Sequence, residues 1–532
     1  MFSLRLFPLS QERRRFLALA VIASLGLCLG FPNDFASLPP LVLAWPLALS
    51  LMGLFSASAR QAFFLGLVSN LPGMTLVLYW LMLPIHRVGG IPWIFAALCA
   101  FAVIFCLAAF FALHCLFLYL ARYLSPWFLP VAAACSWTFL ELIAAPLTGF
   151  PWLPLAGALV QWPALVQSAA YISQYGTVFF WLLALHPLIL PFCLDQRPKW
   201  PLSIAACTLI AVHIAFGFLC LKGSPLVTQP EGPMSLGVLF VEGNIDQNQK
   251  WRPSMQRATV EHYRKLTQEG LQRLDHPKVL VIWPETALPF FFERNLLLQG
   301  FVRQTAREHA CPLLFGTPGA GTASNPRGIY NRAILLDDQG EDRGQYDKEH
   351  LVPFGEYTPA FLDFDFLKPL LQGVGVYAEG HNSGPLRYGE MAAGMLICYE
   401  GIFPWLAQER VRQGANLLID ISNDGWFGQT PARWQHLYLT CLRAIEQQRW
   451  ILRATNTGIS AVIDQQGRLV ATGPSDQAGS WPARAKLINE PSFLHRNWHW
   501  QLALFAVLCL LTLFICRYSA KKSRHTQKLP LL

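Results

Sequence analysis

Residues Ala393 to Pro404 read AGMLICYEGIFP, an apolar run that meets Cys398, breaks at Gly401 and reaches a proline at a favoured helix-opening position. The run predicts a strand over Ala393–Cys398, and the proline predicts a helix over Pro404–Gln413. A strand-to-helix turn presents its corner residue outward, where α/β domains collect their chemistry. Here that residue is a thiol.

The same pattern extends outward from this stretch. Strands are expected at Ser235–Glu242, Val279–Trp283, Leu313–Thr317, Asn331–Leu336, Leu417–Ser422 and Gly458–Asp464. Helices are expected at Ser254–Leu274, Asn295–His309 and Arg433–Arg449. This alternation predicts an α/β domain with helices packed over sheet.

Outside Met234–Pro491 the composition changes. The 532-residue chain is 53% hydrophobic and 14% charged, with a mean hydropathy of +0.35, and long uncharged runs concentrate in its first 220 residues. Eight runs are marked as membrane spans: Phe16–Phe31, Leu38–Phe55, Ala62–Leu83, Pro92–Leu120, Trp127–Ala145, Ile172–Leu194, Pro201–Leu221 and Leu502–Cys516. No persuasive small-residue cleavage site follows the first run, so it reads as an uncleaved helix. The expected organisation is a seven-span domain over 1–222, a soluble domain over 233–490, a final span over 498–517 and a basic tail over 518–532.

Basic residues near span ends stay cytoplasmic. Arg5, Arg13, Arg14, Arg15, Arg60, Arg122, Arg197, Lys199, Arg517, Lys521, Lys522, Arg524 and Lys528 all fall on one side if every run crosses. The other side carries Asp34 and, as its main basic residue, Arg87. Both termini are therefore expected in the cytoplasm and the soluble domain on the outer face, the periplasm of a Gram-negative cell. The net charge of +9 expresses this bias rather than nucleic-acid binding.

Most of the 13 cysteines lie in apolar spans, where Cys packs as a small hydrophobe. Only Cys311, Cys398 and Cys441 lie in the outer domain, an odd number that leaves at least one free thiol in an oxidising compartment.

Two further groups stand at strand ends or in loops. Glu285, in VIWPETALP, follows an apolar strand, where desolvation raises a carboxylate pKa toward the range of a general base. Lys348, in YDKEHLVPFGEY, is flanked by Asp347 and Glu349, and Pro353 and Gly355 form a loop expected to return Glu356 to the lysine. A nearby lysine and a helix N-terminus are expected to lower the Cys398 pKa toward a reactive thiolate. Taken singly, each residue has a plainer reading: a loop or capping glutamate, a solvated lysine, a buried structural cysteine.

Together, Glu285, Lys348 and Cys398, in that order and each within its motif, resemble the Glu-Lys-Cys triad of the nitrilase (carbon-nitrogen hydrolase) superfamily. The resemblance implies an α-β-β-α sandwich. Fused behind seven spans and before an eighth, the pattern is similar over essentially the whole chain to the apolipoprotein N-acyltransferases. FVEGNIDQNQKW then places Trp251 at a functionally important tryptophan, IYNRAILL places Asn331 at the family asparagine, and CYE supplies Tyr399 and Glu400. SNDGWFG fits the family's SND-x-WFG segment, with Gly425 at its small-residue position.

The resemblance implies that Glu285 accepts a proton, Cys398 is the nucleophile and Lys348 stabilises the oxyanion. Glu356 is expected to hold Lys348, and Glu400 to orient a substrate or complete the acidic cluster. It implies a phospholipid acyl donor, a diacylglyceryl apolipoprotein as acceptor, a thioester intermediate, no metal or other cofactor, and a bacterial inner-membrane location; a monomer is expected. FPWLPLAGALVQWP and LPFFFERNLLL have the content of interfacial segments or of ordinary loop packing. The rival readings are a membrane-tethered amidase or hydrolase and a non-enzymatic receptor or transporter. Glu141, a charge within a span, is left without a role.

Overall fold

The computed structural model describes residues 11–526 except 88, 125–127, 194–199, 225, 229, 275–278, 322–324, 354, 358–376 and 382–383. Arg5, Arg197, Lys199 and Lys528, the run boundaries at Trp127 and Leu194, and Phe354 lie outside the described residues.

The N-terminal apolar runs fold as helices α1 (Gln11–Gly30), α2 (Ala44–Phe55), α3 (Ala59–Leu78), α4 (Met82–Arg87), α5 (Trp93–Ala121), α6 (Leu129–Thr148), α7 (Leu155–Leu159), α8 (Ala169–Cys193) and α9 (Trp200–Gly223). Among the described residues, five helical stretches are long and apolar enough to cross a membrane: Ala59–Arg87, Trp93–Ala121, Leu129–Thr148, Ala169–Ile189 and Ser203–Gly223. The first, second and last expected runs are also helical. The second, Pro39–Phe55, is shorter than a span even with the 3₁₀ turn Pro39–Leu43 counted before α2. α8 breaks near its start, where Ser173 has φ 61°.

The soluble part contains β1 (Ser235–Glu242), α10 (Gln247–Lys250), α11 (Gln256–Leu271), β2 (Val279–Ile282), α12 (Leu296–His309), β3 (Leu313–Gly319), β4 (Tyr330–Leu336), β5 (Asp342–Asp347), β6 (Leu386–Tyr388), β7 (Met391–Ile397), α13 (Pro404–Arg412), β8 (Leu417–Ser422), α14 (Ala432–Gln447), β9 (Ile451–Thr455), β10 (Ala461–Ile463), β11 (Leu469–Thr472) and β12 (Gly479–Lys486). α15 (Phe493–Thr526) follows. Two six-stranded sheets form, in the orders β12-β1-β2-β3-β4-β5 and β11-β10-β9-β8-β7-β6. In each, three parallel central strands are flanked by antiparallel ones.

The sheets pack face to face, with Phe240, Ile282 and Leu314 of one and Met395, Ile419 and Leu452 of the other in a common core. α11 and α12 cover the outer face of the first sheet through Val260, Tyr263 and Val302. This is the expected α-β-β-α sandwich.

The second outer layer is not left to water. Leu437 and Leu442 of α14 and Phe403 and Leu406 near α13 share one continuous core with Trp45, Trp80 and Trp137 of the membrane helices. Burial of apolar surface on this scale makes the junction a packed core rather than a tether.

Candidate active site

Glu285 follows β2 in a turn pressed against β3. A Cβ on Gly316 would lie 2.5 Å from the Thr286 nitrogen and 2.8 Å from the Glu285 Cα. Glycine is therefore what lets the turn approach the strand. Glu285 Oε1 accepts a hydrogen bond from Asn331 Nδ2 at 2.7 Å. Burial pushes the carboxyl up to about 7, against the pull of Lys348 and Lys250 and with the repulsion of Glu356.

Glu356 does return to Lys348. Lys348 Nζ lies 3.0 Å from Glu356 Oε1 and 2.9 Å from Oε2, and Val352 N donates to Oε2 at 2.8 Å. Asn331 Nδ2 also donates to Glu356 Oε1, at 3.0 Å, so one amide group joins both carboxylates. The flanking acids have other partners: Asp347 pairs with Arg332 and Glu349 with Arg410. Burial opposes the Lys348 charge, but Glu356 and Glu285 outweigh it and hold the ammonium above the usual lysine range.

Cys398 stands one residue beyond the end of β7, not within the strand, and opens a 3₁₀ turn over Cys398–Ile402. Its φ is 55°, a left-handed conformation that costs a non-glycine residue energy and is concentrated at functional sites. The side chain is 7% exposed. The expected low pKa is not found: burial and then Glu285 push the thiol up, and the opposing pull of Lys348 and the hydrogen bond from Ser422 do not compensate. Desolvating a thiolate costs more here than one ammonium returns, because that ammonium already serves two carboxylates.

Glu400 does not face outward as a substrate ligand. Its Oε1 accepts from Tyr346 Oη (2.8 Å), Glu349 N (2.8 Å) and His350 N (3.0 Å), and Oε2 accepts from Ile397 N (2.7 Å). It ties the chain after Lys348 to the chain before Cys398. Tyr399 Oη donates to the Gly149 carbonyl at the end of α6, at 2.5 Å, and its ring stacks with Trp152. Trp251 is 46% exposed in the turn after α10. Gly425 lies beside Asn423, whose Oδ1 would meet an added Cβ at 3.2 Å.

Two residues at the site carried no sequence signal. Lys250 is fully buried, with Nζ 3.0 Å from Thr286 Oγ1 and 3.5 Å from the Glu285 carbonyl; in QNQKW it reads as a surface charge. Burial pulls it down to about 7 despite Glu285. His436 Nε2 lies 3.2 Å from the Cys398 carbonyl. Among the described residues no cluster of three or more His, Cys, Asp or Glu has the arrangement of a metal site.

In the membrane part, Glu141 Oε1 accepts from Trp137 Nε1 (2.8 Å) and from Leu155 N (2.9 Å), which holds the start of α7 and the loop before it. That loop, residues 150–154, is packed: Trp152 and Leu153 are buried in the junction. Of the second interfacial candidate, Phe290 and Phe292 are buried whereas Leu296 and Leu297 are exposed.

Comparison with known proteins agrees with this architecture. The family described as Carbon-nitrogen hydrolase matches residues 245–480, and the Apolipoprotein N-acyltransferase N-terminal domain matches 23–186. The apolipoprotein N-acyltransferase of Geobacter metallireducens is 34% identical over 496 residues, covering 91% of this chain and 92% of the relative. Those of Azotobacter vinelandii (33%, covering 88% and 90%) and Pasteurella multocida (30%, covering 80% and 82%) are similar over nearly the same extent. The two family matches and the relatives 30–34% identical over most of both chains show that this chain, a two-sheet sandwich sharing its core with a helical membrane part, belongs to the apolipoprotein N-acyltransferase family.

Proposed function

We propose that the chain carries a fatty acyl group from a membrane phospholipid, through a thioester on Cys398, to the N-terminal amine of a diacylglyceryl apolipoprotein. The observation that carries the reading is the buried set Glu285–Asn331–Glu356–Lys348 beside Cys398, in a domain whose helical layer is continuous with apolar helices.

Glu285 takes the thiol proton as the sulfur attacks the ester carbonyl. With the thiol held high and Glu285 near 7, this transfer accompanies attack rather than preceding it. Lys348 has three N–H donors; one goes to Glu356 Oε1, and another serves the oxyanion of the tetrahedral intermediate. Collapse breaks the carbon–oxygen bond, Glu285 returns the proton to the departing lysophospholipid, and the thioester remains. The neutral lipoprotein amine then attacks, Glu285 accepts its proton, and collapse of the second intermediate restores the thiol and leaves an amide.

Asn331 and Glu356 orient the two charged partners, and Glu400 and Tyr399 brace the nucleophile turn. Trp251, exposed near Lys250, belongs to the substrate-facing rim. The reading places residues 1–222 and 498–517 in a bacterial inner membrane, 233–490 in the periplasm, and both termini, with the 518–532 tail, in the cytoplasm. The one-sided basic residues support this orientation. The enzyme acts as a monomer.

The test is mass spectrometry of the protein incubated with phospholipid in detergent, then chased with water or with a diacylated lipopeptide bearing a free amine. A hydroxylamine-labile adduct on Cys398 that survives in water and moves to the peptide is expected. Rapid loss to water would make the protein a hydrolase, and no adduct would remove Cys398 as nucleophile.

A further inference from the structure

Gln435 belongs to the soluble part, yet all four of its side-chain hydrogen bonds go to the membrane part. Its Oε1 accepts from Trp80 Nε1 (3.1 Å) and Trp152 Nε1 (2.7 Å), and its Nε2 donates to the carbonyls of Pro32 (2.9 Å) and Val77 (3.1 Å). Two acceptor and two donor positions are filled in a residue 2% exposed. Only a carboxamide of this length supplies both kinds of group, since a carboxylate cannot donate and an aliphatic side chain can do neither.

The next residue turns the other way. His436 Nε2 lies 3.2 Å from the carbonyl oxygen of Cys398; a carbonyl only accepts, so Nε2 carries the proton. Nδ1 then accepts from Arg453 Nη2 at 3.0 Å, which orients the ring, and Asp424, which pairs with Arg453, lies beside it. The imidazole also lies against Trp152, with ring centroids 5.7 Å apart. Trp152 thus gives its N–H to Gln435 and a ring face to His436.

We propose that Gln435 and His436 are positioning residues that register the nucleophile turn against the membrane part: Gln435 locks the start of α14 onto Trp80 and Trp152, and His436 holds the Cys398 carbonyl from behind. The left-handed backbone at Cys398 is costly by itself, and a donor fixed by the membrane part is what sets the thiol relative to Glu285 and Lys348. The inference rests on Cys398 being the acylated residue.

The test measures acyl-enzyme formation from phosphatidylethanolamine by the full-length protein in detergent, with rapid quenching and intact mass spectrometry. Burst amplitude counts competent molecules, and the rate constant at saturating lipid reports positioning. Gln435→Leu and His436→Leu are expected to lower that rate constant at least about tenfold with little change in the half-saturating lipid concentration. His436→Gln, which keeps an N–H donor, should recover most of the rate. Gln167→Ala removes another contact between the two parts, to the Gln466 carbonyl, and should leave the rate unchanged. Gln435→Glu keeps the two indole bonds but sets an acceptor against the Pro32 and Val77 carbonyls, and should likewise fall at least about tenfold; it replaces Gln435→Leu if that variant is not recovered folded. A normal rate constant with reduced amplitude in Gln435→Leu, or a normal rate in Gln435→Glu where it stands in, would overturn the proposal. An equal loss in Gln167→Ala would do so as well, because it would make the effect one of general loosening. Absence of any burst in the unmodified protein would overturn the thioester reading itself, and this inference with it.

Discussion

Lys250 Nζ lies 3.0 Å from Thr286 Oγ1, which puts a second buried ammonium beside the turn that carries Glu285. The two residues are 36 apart in sequence. Burial drives both groups toward neutrality near pH 7, and each charge partly restores the other.

Neutralising that ammonium therefore raises the Glu285 pKa further. Lys250→Met should move the acid limb of the acylation rate to higher pH and lower the rate at pH 6.5 by about threefold to tenfold. A lysine whose pKa is depressed on folding binds its proton less well folded than unfolded, so its charge costs stability below the ordinary lysine range, most fully below about 7. The melting temperature of Lys250→Met should accordingly not fall. A pH–rate profile and a thermal melt check the pair; an unmoved acid limb would separate Lys250 from Glu285.

Glu356→Gln leaves Lys348 buried with one carboxylate neighbour fewer. Removing one partner of such a pair costs about 3–5 kcal/mol, and acyl-enzyme formation should fall at least about a hundredfold. Quenched intact-mass kinetics measure this, and a normal rate would remove Glu356 from the support of Lys348.

In Glu400→Gln, one oxygen of a carboxylate with four donors becomes an NH2 group facing another N–H. The lost bond and the clash cost about 1–3 kcal/mol, visible as a lower melting temperature by tryptophan fluorescence. Tyr346→Phe removes one of the four donors and also a partner of Arg410, and should cost less. The opposite order would place the clamp elsewhere.

The raised thiol pKa predicts slow alkylation of Cys398 by iodoacetamide at pH 7, rising by about tenfold per pH unit above it. A plateau already reached below pH 7 would mean a resting thiolate.

Four of the five strands that escape sequence reading share a physical cause. β5, β6, β11 and β12 are the four edges of the two sheets. An edge strand pairs on one side only and tolerates polar residues and proline, as in DRGQYD and GSWPARAK, so the apolar pattern is weak. β9 lies inside its sheet but carries Arg453, whose charge is met within the fold by Asp420 and Asp424. The other central strands are legible within a few residues: Ser235–Glu242 and Leu417–Ser422 match the expected limits at both ends.

Local order set by the side chains themselves was thus readable from the chain alone. Apolar runs have to leave water, short ones between turn residues pair as strands, and the motifs around Glu285, Lys348 and Cys398 place reactive groups at strand ends. Only the tertiary structure decided the state and support of those groups. Lys250 becomes a buried charge beside Glu285, Glu400 a tie between two chain segments and Gln435 a link to the membrane part because their partners come from distant segments, and a hydrogen bond between residues 355 apart, such as Trp80 to Gln435, leaves no local pattern. The protonation of Cys398 departs from the sequence expectation for the same reason: a pKa is the balance between desolvation and surrounding charges, and both exist only once the chain has closed around the thiol.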